Sequence, residues 1–212
     1  MSFTDRIPQT ASSAGCCALI AIKGREQCKS RLDKRLSPTA RIELVRAMLA
    51  HVLGAAQAAA AVRQVIVLSP ERDTLPADVP VLADAGAGLN AALGHAQHAL
   101  LELGVSELLV LPADLPAITP LEIDSLVSAG RSGGFSIAPD AADHGTNALF
   151  VHSARAFRFQ FGANSKTLHL READRLGLQA QIVRLPGLEF DLDLPEDLDR
   201  IRYPQRIPCL QP

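Results

Sequence analysis

The sequence predicts a single α/β domain in which helices cover both faces of a mostly parallel sheet. Short segments that are apolar throughout, such as 108–111, alternate with longer segments whose apolar residues recur at helical spacing. Strands that are apolar on both sides are typical of a parallel sheet buried between two layers of helices. The chain has 212 residues, and because typical domains have roughly 100–200 residues, we expect one domain. We place it at residues 16–203, between tails at 1–15 and 204–212.

Each element follows from this alternation. Strands are expected at 17–22, 64–68, 79–82, 107–111, 135–138, 148–151 and 181–185. Helices are expected from Ser37-Pro38 onward, at 89–103, 120–129 and 164–176, and over a short segment from Pro195. Ser37 can cap the first helix and Pro38 fits its first turn. The apolar stripe expected to be buried on that helix is Ile42, Val45, Met48, Leu49, Val52 and Leu53. The short spacing of the late strands leaves room for antiparallel pairing at 148–151 and 181–185.

The composition argues against several classes of protein. Apolar residues make up 48% and charged residues 21% of the chain, which is typical of a folded protein. Aromatic residues make up only 4% and the net charge is −2, so we expect no nucleic-acid partner. The apolar runs are far shorter than the ~20 residues that span a bilayer, so we expect no membrane partner. Residues 1–15 hold no apolar signal segment and the chain no Cys-x-x-Cys pair, which favours a cytoplasmic protein.

A basic loop follows the first predicted strand. Lys23, Arg25, Lys29 and Arg31 lie within it, at the kind of strand end where open α/β sheets bind ligands. The spacing from Gly24 to Lys29 and Ser30 resembles a P-loop, but the glycine that normally precedes the lysine is missing. We therefore expect side-chain charge to form a phosphate site here; the alternative is a solvated basic loop.

A glycine-rich loop follows the third predicted strand. Gly86, Gly88 and Ala91 match the dinucleotide pattern G-x-G-x-x-G/A, so an NAD-dependent oxidoreductase is the rival function. That pattern normally follows the first strand of the fold, whereas here two earlier strands come before the strand that leads into it. The same helix start could hold a base, a ribose or a single phosphate, or be only a tight turn. A nucleotide-binding module without catalytic activity is a second alternative.

Aspartates follow two further predicted strands. Asp114 lies between two prolines directly after a buried strand, and Asp191 and Asp193 would point the same way in an extended segment. Three carboxylates would make an oxygen-rich site that suits Mg²⁺ shared with substrate phosphates. The alternatives are that Asp191 only caps the segment at Pro195 and that Asp197 and Asp199 belong to a solvated helix face.

Two polar turns, at 140–147 and 161–166, complete the candidate site. Asn164 is expected to cap the next helix, and Ser165 and Lys166 lie at the helix start, where free N–H groups favour an anion. His144 is expected to be solvated, and His169 is given no function.

These motifs, taken in order over residues 18–200, resemble the 2-phospho-L-lactate guanylyltransferase family of coenzyme F420 biosynthesis. The residues that carry the resemblance are Lys29-Ser30-Arg31-Leu32, Gly88-Leu89-Asn90-Ala91-Ala92-Leu93, Pro112-Ala113-Asp114-Leu115-Pro116, Asp143-His144-Gly145-Thr146-Asn147-Ala148-Leu149 and Asp191-Leu192-Asp193 with Pro195-Glu196-Asp197-Leu198. The resemblance implies a GT-A-like, nucleotide-diphospho-sugar-transferase fold. It also implies transfer of GMP from GTP to a small phospho-carboxylic acid, with release of pyrophosphate.

The resemblance also implies functions for individual residues. Asp114, Asp191 and Asp193 would hold Mg²⁺, and Thr146, Gly162 and Ser165 would hold the phospho-acid. Lys23 would lie among the phosphates and, with Asp114, act in catalysis; Lys29, Gly88 and Asn90 are the other candidates for nucleotide contacts.

The acceptor is the part that the resemblance leaves open. Family members commonly read Phe-Gly-Pro-Gly-Ser-Phe where this chain has Phe161-Gly162-Ala163-Asn164-Ser165-Lys166. Three acids therefore remain candidates: 2-phospho-L-lactate, phosphoenolpyruvate and 3-phospho-D-glycerate. The labile diphosphate product suggests a further partner, the next enzyme of the pathway, to which it would be handed over.

Overall fold

The computed structural model describes residues 15–22, 29–70, 75, 79–83, 88–152 and 157–201. Its strands are β1 (Cys16–Ala21), β2 (Val62–Ser69), β3 (Val81–Ala83), β4 (Glu107–Pro112), β5 (Gly134–Pro139), β6 (Thr146–His152) and β7 (Gln179–Ile182). Its α-helices are α1 (Pro38–Ala58), α2 (Leu89–Glu102), α3 (Pro120–Gly133), α4 (Ser165–Arg175) and α5 (Pro186–Glu189), with 3₁₀ turns at Ser30–Leu32 and Pro195–Arg200. Residues 1–14 and 204–212 of the two predicted tails lie outside the described ranges.

The strands form one seven-stranded sheet in the order β3-β2-β1-β4-β6-β5-β7. Only β6 among them is antiparallel to its neighbours, which confirms the mostly parallel prediction. Antiparallel pairing at 148–151 is therefore correct, but the expectation for 181–185 is wrong, because β7 runs parallel to β5. The reason is that α4 begins beside the start of β6, where the Lys166 N–H donates to the His144 carbonyl oxygen at 3.1 Å, and carries the chain back along the sheet before β7 starts.

Helices cover both faces of the sheet, as predicted. One apolar layer joins α1 and α3 to the sheet, and the other joins α2 and α4 to the opposite face. None of the described helices is long and apolar enough to span a membrane.

The expected stripe of α1 is wrong at its first position. Ile42 is 41% exposed, whereas Leu44 is fully buried. The cause is a small apolar cluster in which Leu44 and Met48 pack against Leu32 and Leu192. This cluster anchors the loops before α1 and after α5, which carry candidate site residues.

The sheet order reverses between β1 and β4, so these two parallel strands end side by side while their following connections diverge. In open α/β sheets such a point is where a crevice forms and ligands bind. Because β6 is antiparallel, its first residues also lie at this edge, beside the end of β4. The fold thus brings the segments after β1 and β4 and the start of β6 to one place.

Candidate active site

At the centre of this edge lies an acidic cluster of aspartates, two of which are bridged by a lysine. Lys29 Nζ donates to Asp114 Oδ2 and to Asp193 Oδ1, each at 2.6 Å. The Lys29 side chain is only 9% exposed, whereas those of Asp114 and Asp193 are 27% and 43% exposed. Arg31 adds a second cation, 3.9 Å from Asp193 Oδ2. Residues that follow two neighbouring strands therefore meet a third segment from near the end of the domain.

Backbone contacts fix how the aspartates after α5 are placed. The Leu192 N–H donates to the Asp114 carbonyl oxygen at 3.1 Å, and the Leu192 side chain is fully buried. Alternation along an extended segment then turns Asp191 and Asp193 to the side opposite Leu192. The prediction that these two aspartates join Asp114 at one place agrees with this arrangement.

Asp197 is part of this arrangement, and its expected place on a solvated helix face is wrong. Its side chain is largely buried, and Oδ2 accepts the N–H groups of Asp193 at 3.0 Å and Leu194 at 2.7 Å. The carboxylate thus holds the turn after Asp193, because the start of the Pro195 segment leaves N–H groups that need an acceptor. Asp199, by contrast, is exposed and pairs with Arg35, as a solvated face predicts.

The charges of the cluster influence one another. Burial raises the pKa of Asp191, and the carboxylates of Asp114 and Asp193 raise it further, while Asn147 Nδ2, 3.3 Å from Asp191 Oδ1, opposes the shift. Burial alone would lower the pKa of Lys29, but the two carboxylates outweigh it and raise that pKa. Three ionised carboxylates outnumber the two cations, Lys29 and Arg31, by one at this edge of the sheet.

The donor set suits a hard dication in its chemistry, since carboxylate oxygens are the ligands of Mg²⁺. In the described part of the chain, however, no group of three or more His, Cys, Asp or Glu side chains is arranged to hold a metal ion. The Lys29 ammonium lies between Asp114 and Asp193, where it takes up the oxygens that a cation would use. Magnesium at this cluster therefore stays a prediction.

The start of α2 is joined to the second polar turn. Gly88 precedes the helix with φ 88°, a left-handed conformation that glycine adopts without strain. Asn90 Nδ2 donates to the Phe161 carbonyl oxygen at 3.0 Å, and its Oδ1 accepts the Phe161 N–H at 2.8 Å. The predicted nucleotide contact Asn90 thus holds the loop that contains Gly162, and a contact to nucleotide remains a prediction. Lys23 and Gly86 lie outside the described residues.

Two of the three residues predicted to bind the phospho-acid, Gly162 and Ser165, are hydrogen-bonded to each other, and the third, Thr146, contacts the same helix through His169. Gly162 has φ 129° with open space where a Cβ would lie, so a ligand can approach its backbone closely. Ser165 begins α4, and its N–H donates to the Gly162 carbonyl oxygen at 3.2 Å. Thr146 begins β6, whose neighbour Asn147 reaches Asp191 as described above. We refer to Thr146, Gly162 and Ser165 as the candidate acceptor pocket; Asn147, which follows Thr146 in β6, links the same strand to the acidic cluster.

Asn164 does not cap α4 with its side chain, so that prediction is wrong. The residue has the left-handed conformation, with φ 56° and ψ 25°, and its side chain makes no capping hydrogen bond. The first N–H groups of the helix are instead taken by backbone carbonyl oxygens, those of Gly162 and His144. The position of the helix start was predicted correctly, but not the groups that satisfy it.

Two cations meet at one oxygen beside the pocket. Lys166 Nζ donates to Asp143 Oδ1 at 2.6 Å, and Arg184 donates to the same atom. The Lys166 and Arg184 hydrogen bonds together lower the pKa of Asp143. Sequence analysis missed Arg184, because a single arginine after a short exposed strand carries no signal. Two cations, paired with the carboxylates of Asp143 and Glu189, are thus held against the loop that leads into Thr146.

His169, which sequence analysis set aside, is fully buried behind Thr146. The Gln160 N–H donates to His169 Nε2 at 2.9 Å, and His169 Nδ1 lies 3.0 Å from Thr146 Oγ1. Burial lowers the pKa of His169 to about 4, which the nearby Glu172 opposes. The imidazole is therefore neutral near pH 7.

This burial predicts how stability depends on pH. The unfolded chain takes up a proton on His169 below about pH 6.5, but the folded chain does so only below about pH 4. The free energy of unfolding should therefore fall as the pH drops through this window, with His169 contributing up to about 3 kcal/mol of the loss. Urea titrations of wild type and His169→Gln at pH 7, 5.5 and 4.5 measure the difference. Equal losses in both proteins would contradict the prediction.

Comparison with known proteins decides the family. Residues 16–203 match the sequence model of the family described as "Guanylyl transferase CofC like". The chain belongs to the CofC-like guanylyl transferase family. A family relative, the phosphoenolpyruvate guanylyltransferase of Sphaerobacter thermophilus, is 39% identical over 87% of this chain and 91% of its own length. The 3-phospho-D-glycerate guanylyltransferase of Phenylobacterium zucineum is 35% identical over 91% of this chain and 90% of its own.

Solved structures agree on the fold of this CofC-like protein. A structure described as a nucleotide-diphospho-sugar transferase from Desulfovibrio desulfuricans has a TM-score of 0.73 at 15% identity, covering 92% of this chain and 93% of that one. A nucleotidyl transferase from Methanothermobacter has a TM-score of 0.65 at 19% identity, covering 89% and 96%. These structures confirm the predicted GT-A-like fold, and the family match with its guanylyltransferase relatives confirms the nucleotidyltransferase class. The oxidoreductase alternative is set aside, because the family and the two relatives named above are guanylyltransferases.

Proposed function

We propose that this CofC-like protein transfers GMP from GTP to the phosphate of a small phospho-carboxylic acid and releases pyrophosphate. The observation that carries the proposal is the acidic cluster of Asp114, Asp191 and Asp193 with Lys29, which β6 reaches through Asn147, the residue after Thr146 of the candidate acceptor pocket. In this arrangement the charged cluster would hold the polyphosphate of the nucleotide, and the hydroxyl donors beside it would hold an anionic acceptor. The names of the two relatives, which differ in the acid but share guanylyl transfer, support it.

The chemistry needs no general base. An acceptor phosphate is largely ionised near neutral pH, since its second pKa is roughly 6. One of its oxygens attacks the α-phosphorus of GTP, and the bond from that phosphorus to the oxygen bridging to the β-phosphate breaks. The electron pair leaves with pyrophosphate. What the protein must supply is neutralisation of two approaching polyanions and their alignment. This explains why cations and carboxylates make up the centre of the described part of the site.

Each part of the site has a task in this proposal. When bound, Mg²⁺ would be held by Asp114, Asp191 and Asp193 and would neutralise charge on the triphosphate. Lys29 would add a second positive charge close to the phosphates, and Lys23 in the same loop a third. Gly88 and Asn90 would line the nucleotide side at the start of α2.

The acceptor has two anionic groups and needs donors at two places. Thr146 and Ser165 offer hydroxyl hydrogens, and Gly162 admits close backbone approach. Lys166 and Arg184 both pair with Asp143, which keeps two cationic side chains beside the loop that leads to Thr146. The cytoplasm is the proposed compartment, because thiols such as those of Cys16 and Cys17 stay reduced there. The proposed context is coenzyme F420 biosynthesis, in which the product is handed over to the next enzyme.

We expect 3-phospho-D-glycerate to be accepted at least as well as 2-phospho-L-lactate. Lys166 adds a cation and Asn164 hydrogen-bonding groups beside the pocket, which suits a more hydroxylated acid. The double variant Lys166→Phe with Asn164→Gly should shift preference towards phosphoenolpyruvate or 2-phospho-L-lactate, and glycine tolerates the left-handed conformation at 164. Competition assays with equal acid concentrations measure the ratio. An unchanged product ratio in the double variant would show that this loop does not set acceptor choice.

The proposed reaction is tested by mass spectrometry of products from GTP, Mg²⁺ and a panel of the three phospho-acids. The expected product is a guanylylated acid that carries the α-phosphate of GTP. Thermal shift with GTP, NAD and Mg²⁺ separately provides a binding control, because a ligand that prefers the native state raises its melting temperature. A shift with NAD alone, and no guanylylated acid from any member of the panel, would overturn the proposal.

A further inference from the structure

A directional chain of hydrogen bonds runs from the backbone through His169 to Thr146. The Gln160 N–H can only donate, so His169 Nε2 is the acceptor of that 2.9 Å bond and carries no hydrogen. In a neutral imidazole the hydrogen then lies on Nδ1, which faces Thr146 Oγ1 at 3.0 Å. His169 is therefore the donor and the threonine oxygen the acceptor. The Thr146 hydroxyl hydrogen must point elsewhere.

The surroundings of His169 hold the ring in this orientation. The Phe161 ring packs edge-on at 4.8 Å between centroids, and the Phe157 ring lies 5.8 Å away. Glu172, the nearest carboxylate, is already bound by Arg175 and by the Arg158 N–H, so it does not compete for the imidazole hydrogen. These contacts hold the His169 ring without help from the Thr146 hydroxyl. They therefore fix Nδ1–H of His169 as the donor that faces Thr146 Oγ1.

His169 and Ser165 lie one helical turn apart on the same buried face of α4. The hydroxyl that His169 controls thus lies on the side of the sheet that carries Ser165 and the loop of Gly162. These are the residues to which the proposed function assigns the phospho-acid. A hydroxyl that has accepted from a neutral donor has its own hydrogen free for an anion.

We propose that His169 is a positioning residue, which holds the Thr146 hydroxyl as a hydrogen-bond donor to an anionic oxygen of the bound phospho-acid. The inference rests on the proposed function and adds a residue to it. The competing interpretation is that His169 only satisfies the Gln160 N–H within the core. The two interpretations differ in which ring nitrogen matters, Nδ1 for positioning and Nε2 for packing.

Two substitutions separate the nitrogens. His169→Asn can place an amide N–H near the position of Nδ1 and so keep the donor to Thr146, but it leaves the Gln160 N–H without its acceptor. His169→Gln can keep an acceptor for the Gln160 N–H but loses the donor to Thr146. We expect His169→Gln to raise the KM for the phospho-acid about tenfold or more, as for a lost hydrogen bond to a charged group, with the KM for GTP unchanged. His169→Asn should keep the acid KM close to wild type, although its melting temperature falls.

A double-mutant cycle and a spectroscopic measurement complete the test. Thr146→Val should raise the acid KM similarly, and adding His169→Gln to it should cause no further rise, because both changes remove the same donor. Nitrogen-15 NMR of the wild type should show the tautomer with hydrogen on Nδ1. If His169→Gln does not fold, the His169→Asn kinetics and the tautomer still decide.

The outcomes distinguish this inference from the function on which it rests. If the wild type makes no guanylylated acid, the proposed function fails and the inference with it. If the wild type is active but His169→Asn raises the acid KM more than His169→Gln, or KM values for acid and GTP rise equally, only the inference is overturned. A tautomer with hydrogen on Nε2 would overturn it as well.

Discussion

Replacing Asp114 or Asp193 with asparagine is expected to reduce guanylyl transfer more than about 100-fold while leaving the fold intact. Loss of a residue that supports a metal ligand already costs roughly 10–100-fold, and loss of a proposed ligand should cost more. The stability cost should be small, about 1 kcal/mol or less, because both side chains are partly exposed and their ion pairs with Lys29 are partly screened. Initial rates at saturating Mg²⁺ and GTP measure the first effect, and thermal melts measure the second.

Asp174→Asn provides the matched control. Asp174 lies on the exposed face of α4, so its substitution should change neither the rate nor the melting temperature appreciably. Wild-type turnover in both Asp114→Asn and Asp193→Asn would contradict the assignment of the cluster as a metal site. A loss of turnover accompanied by unfolding would instead show that the aspartates act mainly in stability.

Replacing Lys29 with methionine is expected to slow the reaction and to lower the free energy of unfolding of the metal-free protein. Removing a nearly buried ammonium from between two carboxylates leaves their repulsion uncompensated, at a cost of about 2 kcal/mol, between the values for exposed and buried pairs. Mg²⁺ should then raise the melting temperature of Lys29→Met more than that of the wild type, because the cation no longer competes with the ammonium for the same oxygens. Melts in EDTA and in Mg²⁺ measure this difference.

Arg35→Met is the control for Lys29→Met. Arg35 pairs with Asp199 at 2.9 Å on the surface, away from the cluster, so its loss should cost little and should not change the response to Mg²⁺. Equal Mg²⁺ shifts in the wild type and Lys29→Met would show that the lysine and the metal do not share a site. A Lys29→Met protein with wild-type turnover would show that Lys29 takes no part in the reaction.

The parts of the site that follow from strand ends could be predicted from sequence. Asp114 comes directly after a continuously apolar strand, and Asp191 and Asp193 alternate around an apolar residue, Leu192. Both are local patterns, and the topology rule places Asp114 at the edge where strands end. Asp191 and Asp193 follow α5 rather than a strand, and the Leu192 N–H bond to the Asp114 carbonyl oxygen brings them to that edge.

Contacts between segments that are distant in the chain could not be predicted from local sequence patterns. Lys29 was predicted as a phosphate-binding cation from its loop, but its place between Asp114 and Asp193 depends on the packing of Leu32 and Leu192 against α1. His169 was set aside because one histidine on a helix has no motif. Its spacing of one turn from Ser165 was the one available signal, and it became meaningful only once β6 placed Thr146 opposite.

The capping and solvation preferences of single residues were misleading at two positions, because backbone groups became the hydrogen-bond partners there. Asparagine is among the best helix caps, yet Asn164 adopts the left-handed conformation, and carbonyl oxygens of Gly162 and His144 take the helix N–H groups. Asp197 was assigned to solvent because it begins a polar segment, whereas it accepts N–H groups next to Asp193. In both cases the departure from the expected pattern lies beside the candidate site.

Phosphorus-31 NMR of a single reaction tests the central claim most directly. Wild-type protein is mixed with GTP, Mg²⁺ and either phosphoenolpyruvate or 3-phospho-D-glycerate. We expect the signals of GTP and acid to decline together while a pair of coupled diphosphate signals and the signal of pyrophosphate grow in equal amounts. Unchanged GTP with both acids, or its conversion to GDP and inorganic phosphate with the acid left intact, would contradict guanylyl transfer to a phospho-acid.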